Sequence, residues 1–243
     1  MSDYDDFAWF YDRYWSADAL AWELVVLERL LLNELETGAA VLDACCGAGQ
    51  LAAALTERGL SVTGIDLSPA MVGFARRNAP TATFREGDVR EVSPSLGTFS
   101  AAVSMYDSLN HLLGIEDLGR AFDGIGSCLI PGGWFVFDLN TQVGIEAWGA
   151  MSHADDEAAF IVEPEFDAVA KRGTFRFVGF RKDGGVWRRT DTRLEQTWFT
   201  NDEIHDALTD AGFEKVSIYD RAEVLGNEAN GKKLIFVARK RLG

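Results

Sequence analysis

Between residues 41 and 50 the chain reads Val-Leu-Asp-Ala-Cys-Cys-Gly-Ala-Gly-Gln, an apolar run that ends on an acid and breaks at once into small residues. Such a stretch is a strand running into a tight turn that opens a helix, with the backbone bare enough for a ligand to touch it. A second acid, Asp66, closes the next apolar run, and Gly87-Asp88-Val89 follows the third. Carboxylates at the ends of successive strands, grouped around a glycine turn, suit a nucleoside-like ligand held at the carboxyl edge of a doubly wound α/β sheet.

Two ligands compete for this turn. Gly47-Ala-Gly-Gln-Leu-Ala52 also meets the G-x-G-x-x-A dinucleotide fingerprint, with Asp66 about twenty residues on. Asp43 favours S-adenosylmethionine over NAD, because a carboxylate before the turn attracts an ammonium and repels a pyrophosphate. Asp88 can accept a hydrogen bond from an adenine amino group. About forty residues precede the first strand, among them the aromatics Phe7, Trp9, Phe10, Tyr11, Tyr14 and Trp15. A nicotinamide enzyme of this layout seldom needs such an addition.

With these residues in view, the chain resembles the class I S-adenosylmethionine-dependent methyltransferases from about residue 11 to its end. The motifs that carry the resemblance are Val41-Leu-Asp-Ala-Cys-Cys-Gly-Ala-Gly49, Gly64-Ile-Asp-Leu-Ser-Pro-Ala-Met71, Gly87-Asp88, Phe99-Ser-Ala-Ala-Val-Ser-Met-Tyr106 and Leu129-Ile-Pro-Gly-Gly133. The resemblance implies a seven-stranded sheet whose last strand is antiparallel. It also implies Asp66 on the ribose hydroxyls, Asp88 at the adenine, and the turn Asp43, Ala44, Cys45, Gly47, Gly49 around the methionyl part. Tyr11, Leu67, Met71, Val89 and Met105 complete the implied cofactor set. One departure stands out: the first of the family's three turn glycines is Cys45 here, so a positive φ at that position would require a locally different turn. Tyr106-Asp-Ser-Leu-Asn-His-Leu-Leu113, Phe10-Tyr-Asp12 and an insertion late in the chain resemble small-molecule methyltransferases. Those that dimethylate the amino group of nucleotide-linked deoxysugars look nearest, and glycine-type N-methyltransferases are a looser match.

Methyl transfer from a sulfonium is an in-line displacement, so nucleophile, methyl and sulfur must be aligned and water kept out. An amine acceptor must be neutral when it attacks, which a modest base or a desolvated pocket can arrange. The candidates follow the fourth strand: Tyr106, Asp107, Asn110 and His111. His111, with an ordinary pKa of about 6.5, suits proton acceptance, against the plainer alternative of solvent exposure or packing. Asp107 is expected to cap the following helix rather than to orient an amine. Tyr11 and Tyr14 resemble N-terminal tyrosines of related enzymes that close over the sulfonium, with ordinary aromatic packing as the alternative. The expected catalytic set is His111, Tyr106 and Tyr14. His153 and His205 have no expected role. No metal is expected, since no tight carboxylate cluster follows the fourth strand.

The elements that must position these groups alternate. Strands are expected at 40–43, 61–66, 82–86, 100–105 and 133–138, with helices at 17–35, 50–58, 69–78 and 114–128 between and before them. At residue 140 the rhythm changes. Residues 160–165, 174–181 and 186–198 look extended, the last two joined by Lys182-Asp183-Gly184-Gly185, a strong hairpin signal. A helix at 201–211 and strands at 215–219 and 233–239 close the chain. The expected organisation is thus a helical, aromatic cap at 1–38, a core at 39–140 and 199–243, and an antiparallel β insertion at 141–198 that serves as substrate lid.

Residues 171–193 hold eight basic residues against Asp183 and Asp191, in a chain whose net charge is −15. This surface either meets an anionic substrate such as a nucleotide sugar diphosphate or pairs across strands with the acids of the preceding segment. The overall charge argues against nucleic acid as a partner. No window reaches the roughly 18 apolar residues of a membrane span. Three aspartates in the first six residues stand where a secretory signal carries positive charge, so a cytoplasmic location is expected. Cys45, Cys46 and Cys128 fit no disulfide framework and read as small apolar residues. The expected protein is an enzyme that methylates a small polar acceptor, an amine by preference, with homodimerisation left open. An O-methyltransferase, a nicotinamide oxidoreductase and a non-catalytic cofactor-binding regulator are the alternatives.

Overall fold

The computed structural model describes residues 4–242; residues 1–3 and 243, the outermost positions of the expected cap and core, lie outside that description. The chain opens with helices α1 (Ala8–Tyr14) and α2 (Ser16–Leu30), then alternates β1 (Ala40–Ala44), α3 (Gln50–Glu57), β2 (Ser61–Asp66), α4 (Pro69–Asn78), β3 (Thr83–Glu86) and β4 (Phe99–Ser104). Helix α5 (Ile115–Cys128), strand β5 (Leu129–Asn140) and helix α6 (Gln142–Glu146) lead into β6 (Met151–Ala154), β7 (Ala158–Asp167), β8 (Arg172–Asp183) and β9 (Val186–Gln196). The chain then returns through α7 (Asn201–Asp210), β10 (Phe213–Asp220), α8 (Arg221–Val224) and β11 (Lys233–Lys240).

Among the described residues, seven strands form one sheet in the order β10-β11-β5-β4-β1-β2-β3, and β6 to β9 form a second, antiparallel sheet. Only β11 runs against its neighbours in the large sheet, so the expected doubly wound Rossmann-like architecture with an antiparallel last strand and a β insertion holds. Strand β1 lies between β2 and β4, with Asp43 opposite Gly64 on one side and Val103 on the other. A strand buried on both faces needs a continuous apolar run, which Val41 and Leu42 supply. Helices α2, α3 and α4 cover one face through Val26, Leu27, Leu55 and Val72. Helices α5 and α7 cover the other through Leu118, Phe122 and Leu208.

Several elements differ from expectation, each for a physical reason. The helix expected at 17–35 ends at Leu30, because Leu31 takes a non-helical backbone and turns into a short 3-10 segment. The aromatic cluster is itself helical: α1 buries Phe7 and Phe10 against Phe160, Phe177 and Leu194 of the insertion sheet. Strand β5 begins at Leu129 and crosses Gly132, whose φ is +73, with a shift in register against β4. The hairpin is as expected, with Gly184 and Gly185 both at positive φ, as a two-residue turn between right-twisted strands requires.

Candidate active site

The turn after β1 takes three left-handed residues: Cys45 at φ +65, Gly47 at +52 and Gly49 at +82. At Gly49 a side chain is impossible without movement, since a Cβ there would lie 2.7 Å from the Cα of Ala75 in α4. At Cys45 the left-handed region is entered by a residue with a side chain, at a cost of about 1–2 kcal/mol. The backbone N–H of Cys46 donates to Ile65 O (3.0 Å) and that of Gly49 to Cys46 O (3.0 Å), which ties the turn to β2.

Three carboxylates surround this turn in different states. Asp43 is buried, and its Oδ2 has no hydrogen-bond partner. Burial, reinforced by the charge of Asp66, pushes its carboxyl up to about 7. Asp66 accepts from the backbone N–H of Gly47 and of Ser68, each at 2.9 Å, yet burial still raises its pKa. Asp88 is gripped by Arg90, which donates from Nε to both carboxylate oxygens (2.9 and 3.0 Å) and also pairs with Asp117 at 2.9 Å. That guanidinium holds the Asp88 carboxyl below its ordinary range.

A cavity of about 220 Å³ lies over the turn. Tyr11, Asp43, Cys45, Gly47, Asp66, Leu67, Met71, Asp88, Val89 and Met105 all line it, whereas Ala44 and Gly49 of the same expected set do not. Glu23, Gln50, Arg90, Ser108 and Tyr4 also line it and were not foreseen. Glu23 sits on α2 among otherwise ordinary helix residues, so nothing local in the sequence marks it. In the fold it is buried; burial, then Asp138 and Asp43, raise its pKa well above the usual range.

A second cavity, of about 280 Å³, shares Tyr4, Tyr11 and Tyr106 with the first. Its walls are aromatic, with Phe7, Trp15, Trp22, Trp148, Phe175 and Phe177. Its polar groups are Asp107, Asn140, Gln196, Arg221 and Lys233. Tyr106 and Asp107 take consecutive left-handed conformations, φ +63 and +52, at the end of β4. Two such non-glycine residues in a row are a strained arrangement of the kind that collects at functional sites.

Asp107 does not cap the turn that follows it, contrary to expectation. Its carboxylate accepts instead from Lys233 Nζ and Gln196 Nε2, and its backbone N–H donates to Asp138 Oδ2 at 2.9 Å. Burial alone would lower the pKa of Lys233, but Asp107 and Asp138 hold the ammonium above its ordinary value. The network continues through Gln196 to Asn140 (3.0 Å) and through Asn110 to Asn140 O (3.0 Å) and Thr197 O (2.6 Å). Asn110, a candidate from its position, is therefore a structural tie between the two sheets.

His111 lies in the lining of the first cavity with both ring nitrogens engaged. Nδ1 is 2.6 Å from Glu195 O, which can only accept, so Nδ1 carries the proton. Nε2 then accepts from Tyr4 OH at 2.8 Å, and Gln196 Nε2 stands 3.3 Å away. Tyr106 lines both cavities. Tyr14 lines neither: its hydroxyl donates to Asp155 at 2.8 Å and its ring packs on Phe160 and His153. The structure thus brings His111 and Tyr106 to the site and leaves Tyr14 at the insertion. Among the described residues no cluster of three or more His, Cys, Asp or Glu is placed to hold a metal ion.

Four arginines of the insertion's basic stretch pair with acids, three of them across strands and Arg189 within β9. Arg176 lies 3.8 Å from Glu163 and 3.3 Å from Asp191, Arg193 lies 3.6 Å from Glu165, and Arg188 and Arg189 pair with Asp183 and Asp191. Pairing is what opposite charges on adjacent strands give.

The family model of the methyltransferase domain matches residues 41–133. A putative methyltransferase of Bacillus subtilis is 30% identical to this chain over 206 residues, covering 82% of this chain and 83% of that protein. A dTDP-3-amino-3,4,6-trideoxy-α-D-glucopyranose N,N-dimethyltransferase of Streptomyces venezuelae is 32% identical over 184 residues, covering 75% of this chain and 67% of that protein. In three dimensions the fold is similar to an S-adenosylmethionine-dependent methyltransferase of Clostridium acetobutylicum, with a TM-score of 0.80, 21% identity, and coverage of 99% of this chain and 100% of that one. The chain belongs to the class I S-adenosylmethionine-dependent methyltransferases. It is an enzyme closely related to the nucleotide-deoxysugar N,N-dimethyltransferases, and S-adenosylmethionine is its cofactor.

The residues present fit that cofactor. Asp43 offers a buried acceptor with an unmet hydrogen bond, suited to an ammonium, and the turn lines the same cavity through Cys45 and Gly47. No helix among the described residues is long and apolar enough to cross a membrane.

Proposed function

We propose that the enzyme methylates the amino group of a small acceptor held in the second cavity. The observation that carries this reading is the shared wall: Tyr4, Tyr11 and Tyr106 face both cavities, so a methyl donor in one and a nucleophile in the other meet there. S-adenosylmethionine bound in the first cavity supplies an electrophilic methyl on a sulfonium. Asp43 and the turn at Cys45 and Gly47 would hold its amino acid part, Asp66 its ribose and Asp88 its adenine edge, with Leu67, Met71, Val89 and Met105 closing round it. Since Asp88 already gives its acceptor directions to Arg90, an adenine amino group there shares the carboxylate with that guanidinium.

In the second cavity, aromatic walls exclude water and the Asp107 carboxylate draws a protonated amine toward the wall. His111 Nε2, accepting from the Tyr4 hydroxyl, is placed to receive the amine's proton through that hydroxyl. This leaves the nitrogen lone pair free for attack. Residues 141–198 serve as the lid that completes this cavity. The relatives named as amino-deoxysugar N,N-dimethyltransferases support an amine over a hydroxyl acceptor.

The test is turnover with S-adenosylmethionine against paired acceptors, amino deoxysugars and their hydroxyl counterparts, with the methylated atom located by NMR. Methylation at nitrogen, once or twice, is expected. Methylation confined to oxygen overturns the amine assignment, and tight cofactor binding without turnover on either set overturns the enzymatic reading of the second cavity.

A further inference from the structure

Helix α2 touches the two cavities with neighbouring residues. Trp22 lines the second and stacks on Tyr106, ring centroids 6.2 Å apart, while Glu23 lines the first. Ser16 and Ala19 line the first cavity from the same helix face, and their small side chains leave space that the longer Glu23 enters. Glu23 is 5% exposed, yet among the described residues its carboxyl has neither a hydrogen-bond nor an ion-pair partner. Asp43 Oδ2 and Asp138 Oδ1 are sealed in by protein, whereas the oxygens of Glu23 keep some surface, and that surface opens on the cavity. A buried carboxyl aimed into a cavity without a protein partner marks a place for a ligand group.

The groups around Glu23 fix where along the cavity it stands. Burial, together with Asp138 on β5, Asp43 on β1 and Asp107 after β4, favours its neutral form in the free protein, against the pull of Lys233 on β11. Lys233 is itself spent on Asp107 and Asp138. From α8, Arg221 stands over Trp22 at 5.2 Å, and α3 contributes the uncharged Gln50 and Leu51 to the lining. Glu23 in turn bears on the Tyr11 hydroxyl more strongly than any other charge, and on that of Tyr106 second only to Asp107. Tyr11 and Tyr106 belong to both cavities, so Glu23 stands at the passage between them, where on the proposed reading the methyl crosses.

S-adenosylmethionine and S-adenosylhomocysteine share adenine, ribose, ammonium and carboxylate. They differ at sulfur, which is a sulfonium with a fixed positive charge before transfer and a neutral thioether after it. We propose that Glu23 distinguishes fresh from spent donor: its carboxylate meets the sulfonium charge and finds none in the thioether. This rests on the reading of the first cavity as the donor site. At a buried position such an attraction is little screened, and it ends when the methyl leaves, so spent donor is readily exchanged for fresh.

The experiment is calorimetry on the full chain with S-adenosylmethionine and S-adenosylhomocysteine, across roughly pH 6.5 to 8.5, for wild type, Glu23→Gln and Asp43→Asn. In wild type the preference for S-adenosylmethionine is expected to grow with pH by about threefold or more, because the sulfonium favours ionised Glu23. Asp43 is assigned to the ammonium that both ligands carry, so its titration cancels in the ratio of affinities. His111 lines the same cavity and persists in the variant, so it does not account for a slope that Glu23→Gln removes. Glu23→Gln is expected to weaken S-adenosylmethionine about fivefold or more, to change S-adenosylhomocysteine less than about twofold, and to flatten the slope. A thermal melt reports whether the variant is folded; if it is not, Glu23→Met, apolar and of similar length, takes its place. A wild-type ratio that does not move with pH, a folded variant that keeps the wild-type ratio, or one that weakens both ligands equally overturns the proposal. Asp43→Asn weakening both ligands alike, while Glu23→Gln leaves the ratio unchanged, removes this inference alone; Asp43→Asn without effect on either ligand removes the donor placement on which it rests. No acceptor enters these measurements, so methylation confined to oxygen leaves the inference standing.

Discussion

Burial pushes the Asp43 carboxyl up to about 7, so on the proposed placement of the cofactor's ammonium its ionisation would couple proton to cofactor. In the free protein a raised carboxyl pKa means that the folded chain holds the proton more tightly than the unfolded one. Its contribution to stability therefore falls as pH rises from the ordinary carboxylate value of about 4 to about 7. An ammonium placed beside it favours the ionised form and reverses that trend. Cofactor affinity is expected to weaken as pH is lowered from about 7.5 to about 6, and calorimetry should find the slope flattened in Asp43→Asn, with affinity down roughly 10- to 100-fold at neutral pH. A second residue-scale expectation concerns Cys45. Cys45→Gly removes left-handed strain and should stabilise the fold by about 1 kcal/mol in urea melts while changing cofactor affinity little. At His111, substitution by Phe should lower kcat by about 10²-fold or more, since the hydroxyl of Tyr4 then has no base behind it.

At the scale of elements, the alternation of strands and helices could be read from the chain because β1, β2 and β4 are apolar runs closed by acids, glycines or prolines. Helix α1 could not, because its aromatic residues are ordered by the insertion sheet more than one hundred residues away, not by a local period. Strand β6, with Met151, Ser152, His153 and Ala154, has no pattern of its own and exists by pairing with β7. The half of the site at the first cavity was readable for the same reason as its strands: the turn, Asp66 and Asp88, which line it, are local signals. The other half gathers Asp107, Asn140, Gln196 and Lys233 from four distant segments, and Lys233 looks in the sequence like an ordinary charge at the start of a closing strand. Lys233→Met should test that gathering. It leaves the buried Asp138 and the half-buried Asp107 without their cation, and a loss of about 3–5 kcal/mol in denaturant stability is expected. Arg176→Ala on the exposed face of the insertion should cost less than about 1 kcal/mol, since such pairs are screened by water and salt.

For the whole molecule, the two sheets are not independent bodies joined by a linker. The backbone N–H of Thr197 donates to Asn110 O at 2.9 Å, His111 bonds Glu195 O, and α1 spans from the insertion core to the cofactor turn, where Tyr11 lies 3.6 Å from where a Cβ of Gly47 would be. Ligand in the first cavity is therefore expected to slow amide exchange in α1 and β8 as well as in the turn, which hydrogen-exchange mass spectrometry can follow.

The tyrosines common to both cavities carry one more consequence. Tyr4 and Tyr11 line both cavities, so on the reading proposed above replacing a used donor molecule would disturb the grip on whatever shares those rings. Twofold modification of one nitrogen is then expected to proceed distributively, the singly modified compound escaping into solution between rounds. A time course should show it rising to a clear maximum before the doubly modified compound dominates, and adding unlabelled singly modified compound should dilute the label in the final material.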